Sequence, residues 1–410
     1  MGCLMSRLAT ASLRILAFAS ALALLVPFAP AQTFTVLHNF SNGADGDIPQ
    51  TGTVDAGGNF YGTTYQGGTH QCGLVFKLMP RGTSWVLDPL YEFPDSTDAC
   101  HPTAGLIFGP DGTLYGTSTF GGTNGVGTVY RLQPSPNRCS TTLCPWRESV
   151  LYSFAGGRSD GAEPSAGVTF DAAGNIFGPT TEGGSPCPQP GCGVIFKLTP
   201  TGGQWSESII YQFGGGYYGG NPNSPLTPDP AGNFYGAEMA GGHYGSVYEL
   251  SPNGSGWNYS TVYHFNDGVD GEYPLGTLLY QGDIYGTTLY GGPGNGGIVY
   301  RLNQTSGVWS LTMLEGFNYQ GEQASSPSPM VVDAQGNMYG TAASGGQYGH
   351  GTVFKLTLSG ESWTFTSLHD FNGTDGSDPI SVVLDSQGNL YGTTWGGGTY
   401  GFGTAFKITQ

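Results

Sequence analysis

The 410-residue chain contains 72 Gly and 27 Pro, while Asp, Glu, Lys and Arg together make up only 10% of it. Its formal charge of −17, from 29 acidic against 12 basic residues, denies nucleic acid or an anionic membrane surface the basic footprint that either needs. Aromatic residues reach 13%, too much apolar mass for a disordered chain, so the glycine points to many short strands joined by tight turns.

Residues 1–31 have the form of a signal peptide. Arg7 and Arg14 supply a basic n-region, and Ile15 to Val26 form an apolar run too short to span a bilayer comfortably. Ala29-Pro30-Ala31 is a small-x-small cleavage site, so the mature chain is expected to begin at Gln32. The alternative is an uncleaved anchor. After cleavage ten basic residues face 29 acidic ones, a formal charge of −19, and no other segment approaches the ~20 apolar residues of a membrane span. Six of the seven Cys remain, an even number in an exported chain, which suggests disulfides.

From residue 33 onward one unit of about 50 to 60 residues recurs. "NFYGTT" at 59–64 returns as "TLYGTS", "NIFGPT", "NFYGAE", "DIYGTT", "NMYGTA" and "NLYGTT". Each copy is followed by a Gly-Gly pair, the first at 67–68 and the last at 397–398, and then by a segment of the form "GTVFKL". Six copies continue to a Trp (Trp85, Trp146, Trp205, Trp257, Trp309, Trp363) with a Phe eight residues further on. A fourth segment precedes each "YGTT" motif, as in "PISVVLD". All four are short, rich in β-branched and aromatic residues, and bounded by Gly, Pro, Asn and Asp, so each predicts a strand.

Four strands per repeat at this period predict an all-β fold, a seven-bladed β-propeller of four-stranded blades over 32–410. A linear solenoid is the rival. The seventh unit stops after its third strand, and the N-terminal "QTFTVLHNF", with Gln32 where Trp would fall, can complete it as the outermost strand. That closure removes the edges an open stack would expose. The Gly of each "YGTT" is expected to let neighbouring blades approach, and the aromatic before it, as at Tyr61 and Tyr391, to fill the core between blades. Third-strand cations such as Lys77, Lys197, Lys355 and Lys407 are expected to pair with the Asp residues that end first strands, Asp55, Asp171, Asp229, Asp333 and Asp385. Within this frame Cys72 and Cys100 lie in loops on one face, and the other Cys form two local pairs. The predicted bridges are Cys72–Cys100, Cys139–Cys144 and Cys187–Cys192; the alternative is free thiols.

The unit "GNLYGTTWGGGTYGFGTAFKI", followed in other copies by a Trp-to-Phe strand, resembles the tandem repeat named GloVer, the Gloeobacter–Verrucomicrobia repeat. The resemblance covers nearly all of 33–410 and implies an exported bacterial protein, secreted, periplasmic or at the cell surface. Kelch units, with their Gly-Gly pair and later Trp, are similar in a looser sense. Neither resemblance carries a catalytic residue to this chain.

Function is sought where copies depart from the repeat. Around the Gly-Gly pairs stand Tyr65, Phe120, Tyr244, Tyr290, Tyr348, Trp395 and Tyr400, an aromatic rim that could stack on sugar faces. The competing reading is that these rings only pack adjacent loops. Acidic, Gly-turned loops hold Asp45 and Asp47, Asp267 and Asp270, and Asp375 and Asp378, residues suited to Ca²⁺ but equally to ordinary turns. No other cofactor is indicated. Glu182, Glu238 and His243 are non-repeating polar residues near the same rim that could serve acid–base chemistry, with no nucleophile motif or phosphate loop beside them. The expected function is therefore a monomeric binding or interaction module for a glycan or protein ligand. The alternatives are a carbohydrate-active enzyme and a structural envelope protein.

Overall fold

The fold is seen in a computed structural model that describes residues 32–410 apart from 95–96, 136–145, 186, 216–218, 267, 320–323 and 361. The leader expected at 1–31, the expected Cys139–Cys144 bridge and Asp267 lie outside the described residues. Strands are lettered A to D from the hub outward. In blade one they are Asp47–Val54, Phe60–Gln66, Leu74–Arg81 and Ser84–Glu92, antiparallel and hydrogen-bonded in that order. Blades two to six repeat the order, with B strands at Leu114–Ser118, Ile176–Thr180, Phe234–Glu238, Asp283–Tyr290 and Met338–Ser344. Their D strands are Arg147–Ser153, Gln204–Gln212, Gly256–His264, Val308–Asn318 and Ser362–Asp370.

Blade seven takes Ser377–Leu384, Leu390–Gly396 and Thr404–Thr409 from one end of the chain and Thr33–Asn39 from the other. The N-terminal strand pairs antiparallel from Thr33↔Thr409 to Asn39↔Thr404 as the outermost strand. Seven buried clusters each straddle one seam between neighbouring blades. One of them joins Phe60, Leu74 and Phe76 of blade one to Tyr391 and Ala405 of blade seven. The circle is therefore closed, as a seven-bladed β-propeller. At its hub, Gln50, Leu106, Val168, Pro225 and Ile380 from different blades line one cavity of about 360 Å³.

Each aromatic before the "YGTT" Gly fills a seam, as expected. The Tyr61 ring meets Phe108 and Trp146 of blade two at 5.3 and 6.3 Å between centroids. The glycine itself has a different task from the one expected. Gly62 is paired with Phe76 across strands B and C of its own blade, and a Cβ on Gly62 would lie 2.5 Å from that ring. The same approach recurs at Gly392 over Phe406. The glycine thus makes room for an aromatic within a blade, and the ring then reaches the seam.

The expected Lys–Asp pairs are also corrected. Asp55 turns back on its own hairpin: one oxygen accepts N–H groups of Gly57 and Asn59, both at 2.9 Å, and the other accepts from the Asn59 amide at 2.7 Å and Tyr61 Oη at 3.0 Å. Asp171, Asp229, Asp333 and Asp385 close the same turn with Asn175, Asn233, Asn337 and Asn389. The lysines instead lie over the strand-B rings, Lys77 over Tyr61 at 5.2 Å and Lys407 over Tyr391 at 5.0 Å. An ion pair of the expected kind of charge joins Arg301 to Asp283, at the start of strand B of blade five.

Candidate functional site

The B–C loops, which carry the Gly-Gly pairs, and the D–A loops between blades share one face. Two recurring contacts fix them. The first is a clamp: the residue before the strand-D Phe accepts the N–H that follows the Gly-Gly pair. Asn39 Oδ1 takes Thr399 N at 2.8 Å, Ser153 Oγ takes Thr123 N at 3.0 Å, and Gln212 Oε1 takes Ser185 N at 2.7 Å. Glu92 receives Thr69 N in the same way. The second contact is a latch between strand D and the D–A loop. Tyr91 bonds Asp98 at 2.6 Å, Tyr152 bonds Asp160 at 2.9 Å and Tyr263 bonds Asp270 at 2.6 Å. In blades six and seven the partner is His: His369 with Asp375 at 2.9 Å and His38 with Asp45 at 3.0 Å. Burial pushes the His369 imidazole below its usual value, and the Asp375 charge opposes that.

On this fixed face the predicted rim residues separate into two groups. Tyr400, Trp395 and Tyr348 are 59%, 55% and 54% exposed, and Phe120 and Tyr290 also stand out of the surface. Tyr65 is half-buried, its ring tilted 4.5 Å from that of His101, and Tyr244 packs partly into the core of the blade four–five seam. The first group is available to a partner; the second supports loops.

The acidic loops are occupied by the protein's own donors. Asp45 accepts from Ser41 N and Oγ, Asp270 from Asn266 N, and Asp375 from Asn372 N, besides their latches. Asp47 is buried, which pushes its carboxyl up, and Asp378 is exposed. Among the described residues no three His, Cys, Asp or Glu side chains gather as metal ligands.

Glu238, expected at the rim, is only 1% exposed. It ends strand B of blade four at the position held by Thr64 and Thr394 in blades one and seven, both fully buried, so the same alternation turns it inward. It accepts from Ser246 Oγ and from Tyr259 Oη at 3.2 Å. Burial pushes it up to about 7, although these bonds pull the other way. Glu182 is half-buried on blade three, near Glu163, and His243 ends a short 3-10 turn at Gly241–His243. The two carboxylates thus occupy separate settings on different blades.

Two further acids, both half-buried, escaped the sequence reading. Glu148 in the blade one–two seam is pushed up to about 8 by burial and then by the Asp98 charge. Glu207 in the blade two–three seam is pushed up to about 7 by burial and then by the Asp160 charge. Both stand two residues after the strand-D Trp, opposite Leu132 and Leu198, where blade one has Leu87 and blade six Phe365. Aligning the copies at the Trp is the signal that would have found them.

Of the expected bridges, Cys72–Cys100 joins a B–C loop to the next D–A loop, with Cα atoms 4.5 Å apart, and Cys187–Cys192 spans the B–C loop of blade three. No helix among the described residues is long and apolar enough to cross a membrane.

A family model described as the Gloeobacter/Verrucomicrobia repeat matches residues 24–149, 146–313 and 280–410. No curated protein sequence matches the chain. Among solved structures, the chain is similar to a putative 6-phosphogluconolactonase from Bacteroides uniformis, at 13% identity and a TM-score of 0.53, over 79% of this chain and 85% of that one. An ancestral GH74 enzyme is similar at 14% identity and a TM-score of 0.54, over 89% of this chain and 51% of that one. PorZ, a bacterial surface component of the type-IX secretion system of Porphyromonas gingivalis, is similar at 14% identity and a TM-score of 0.52, over 90% of this chain and 47% of that one. The chain thus spans about half the length of the last two. At these identities the likeness concerns the propeller fold.

Proposed function

Because this chain belongs to the Gloeobacter/Verrucomicrobia repeat family, whose model covers it from residue 24 to residue 410, we propose that it is an exported binding module that takes glycan ligands, or failing those a protein, on its B–C loop face. The observation that carries the reading is the set of exposed rings at Phe120, Tyr290, Tyr348, Trp395 and Tyr400 on one face, where clamps hold the loop of Phe120 and that of Trp395 and Tyr400. A fixed flat ring loses little entropy on binding and suits the C–H face of a sugar. The disulfides on the same face agree with an oxidising compartment.

The test is a glycan array probed with protein produced from the full sequence, then repeated with the Trp395→Ala, Tyr400→Ala double variant. Loss of binding with an unchanged melting temperature supports a glycan-binding rim. Unchanged binding of every hit removes it. An enzyme would announce itself by sugar release from those hits, lost in Glu182→Gln or Glu238→Gln. The separate settings of these two carboxylates make binding without turnover the expected outcome.

A further inference from the structure

Blade five breaks three regularities of the ring at one place. Where other blades carry the latch Tyr or His, it has Glu315. Where they carry the clamp acceptor, it has Gly316, with no side chain to accept. The residue after its Gly-Gly pair is Pro293, which has no N–H to donate. Donor and acceptor of the clamp are thus lost together. At the seam with blade six that follows, a cavity of about 230 Å³ opens between Glu315, Gly316, Phe317, Gln347 and Asp370.

The cavity continues outward. A second depression of about 390 Å³, bordered by Tyr348 and His369, shares Gln347, Ser367 and Asp370 with the first. Inside, Phe317 and Phe365 meet edge to face at 5.9 Å and give an apolar wall. Asp370 Oδ1 accepts from Ser367 Oγ at 3.0 Å, while its other oxygen has no hydrogen-bond partner among the described residues. Gln347 is exposed, with an amide that both donates and accepts, and the Tyr348 ring beside it is 54% exposed.

We infer that this blade five–six groove is a subsite for one neutral hexose ring, with Asp370 and Gln347 taking vicinal hydroxyls and Tyr348 stacking on the C–H face; the inference rests on the glycan reading above. Carboxylates, an amide and an aromatic ring within one groove are complementary to a polyol with a flat apolar side. The Asp370 carboxylate, which borders both parts of the groove, repels a uronate and so selects an uncharged ligand.

Isothermal titration calorimetry with cellohexaose, laminarihexaose and mannohexaose, and with hexagalacturonate as the charged control, tests the subsite. At least one neutral hexaose is expected to bind and hexagalacturonate not to. Asp370→Asn and Gln347→Ala should each weaken the neutral sugar about tenfold, as loss of one hydrogen bond, charge-assisted in the first case, predicts. Gln347 is exposed in a loop, so its variant keeps the fold even if Asp370→Asn does not. Val308→Ala, at the exposed C–D turn of blade five, should leave the affinity unchanged. Failure of all neutral hexaoses to bind, or wild-type affinity in both groove variants, overturns the subsite. Array binding that disappears with Trp395→Ala, Tyr400→Ala yet is untouched by Asp370→Asn would overturn the groove alone and leave the rim reading standing.

Discussion

Asn39 Oδ1 accepts the backbone N–H of Thr399 at 2.8 Å, a hydrogen bond between residues 360 apart in the chain. The contact joins the N-terminal strand to the last B–C loop, and the next residue, Phe40, is fully buried in the cluster shared by blades one and seven. The first seven residues of sheet and the last six are therefore one antiparallel pair, and neither blade seven nor the ring is complete without both. Phe40→Ala should cost about 3–5 kcal/mol, the usual loss for a buried Phe, in urea unfolding followed by Trp fluorescence. A cost below ~1 kcal/mol would mean that the ring does not depend on its closing strand.

Three consecutive seams carry acids whose carboxyls burial pushes up: Glu148 to about 8, Glu207 to about 7 and Glu238 to about 7. A carboxyl whose folded value exceeds its unfolded value holds more protons in the native state between the two, so stability falls as pH rises through that window. Burial lowers His264 and His369, and these shifts act in the opposite direction, but only below the ordinary histidine value of 6.5. Between pH 6.5 and 8 the acids dominate, and the melting temperature should drop as pH rises. Glu207→Gln should flatten this slope and raise stability at pH 8. A melting temperature that climbs over the same range would place the acids in solvent.

The ring, its closure and the described disulfides were legible because repeats align themselves: seven copies show which positions recur, and an unpaired terminal segment shows what closes the last blade. What failed was the choice of partner. Opposite charges on Asp55 and Lys77 suggested an ion pair, but the Asp-to-Asn hairpin offers Asp55 three nearer donors, at Gly57 N, Asn59 N and the Asn59 amide. Those bonds outweigh the upward push of burial and hold its carboxyl below the usual value. The turn was readable as an Asx motif, since the local donors lie two and four residues away. Glu238 failed differently. Thr at the same strand position in other copies looks equally at home on a surface, so the sequence carried no mark that this position points inward. The clamps and latches join residues whose identity changes from blade to blade, Asn, Glu, Ser or Gln in one role and Tyr or His in the other. Only geometry shows that they do the same thing.

Cys72–Cys100 ties two loops 28 residues apart on the binding face and bears on the stability of the one–two seam. Both sulfurs are buried, and Cys72 and Cys100 belong to the core cluster of that seam. A loop of this length predicts a stabilisation of about 3.5 kcal/mol from restriction of the unfolded chain. Cys72→Ser with Cys100→Ser should lower the urea midpoint accordingly, with the single variants no more stable than the double. Peptide mapping without reductant should recover the two cysteines in one linked fragment. Recovery as separate free thiols would remove the bridge.

The sharpest test of how a blade is built lies at Gly62. Its φ is ordinary, so nothing about the backbone demands glycine there; the demand comes from above, where the Phe76 ring would meet a Cβ at 2.5 Å and the Gln50 carbonyl at 2.7 Å. Phe76 cannot withdraw, because it is fully buried against Phe40 and Phe60 at 5.2 and 6.1 Å. Gly62→Ala should therefore destabilise by about 1–3 kcal/mol, the range for overpacking a filled core. Gly62→Ala combined with Phe76→Leu should recover part of that loss, because the shorter side chain vacates the space the methyl needs. Recovery in the double variant separates steric conflict from any intrinsic preference of the strand, since the second substitution alone removes buried area and must by itself be destabilising. If the two losses simply add, the glycine answers to something other than the ring it faces.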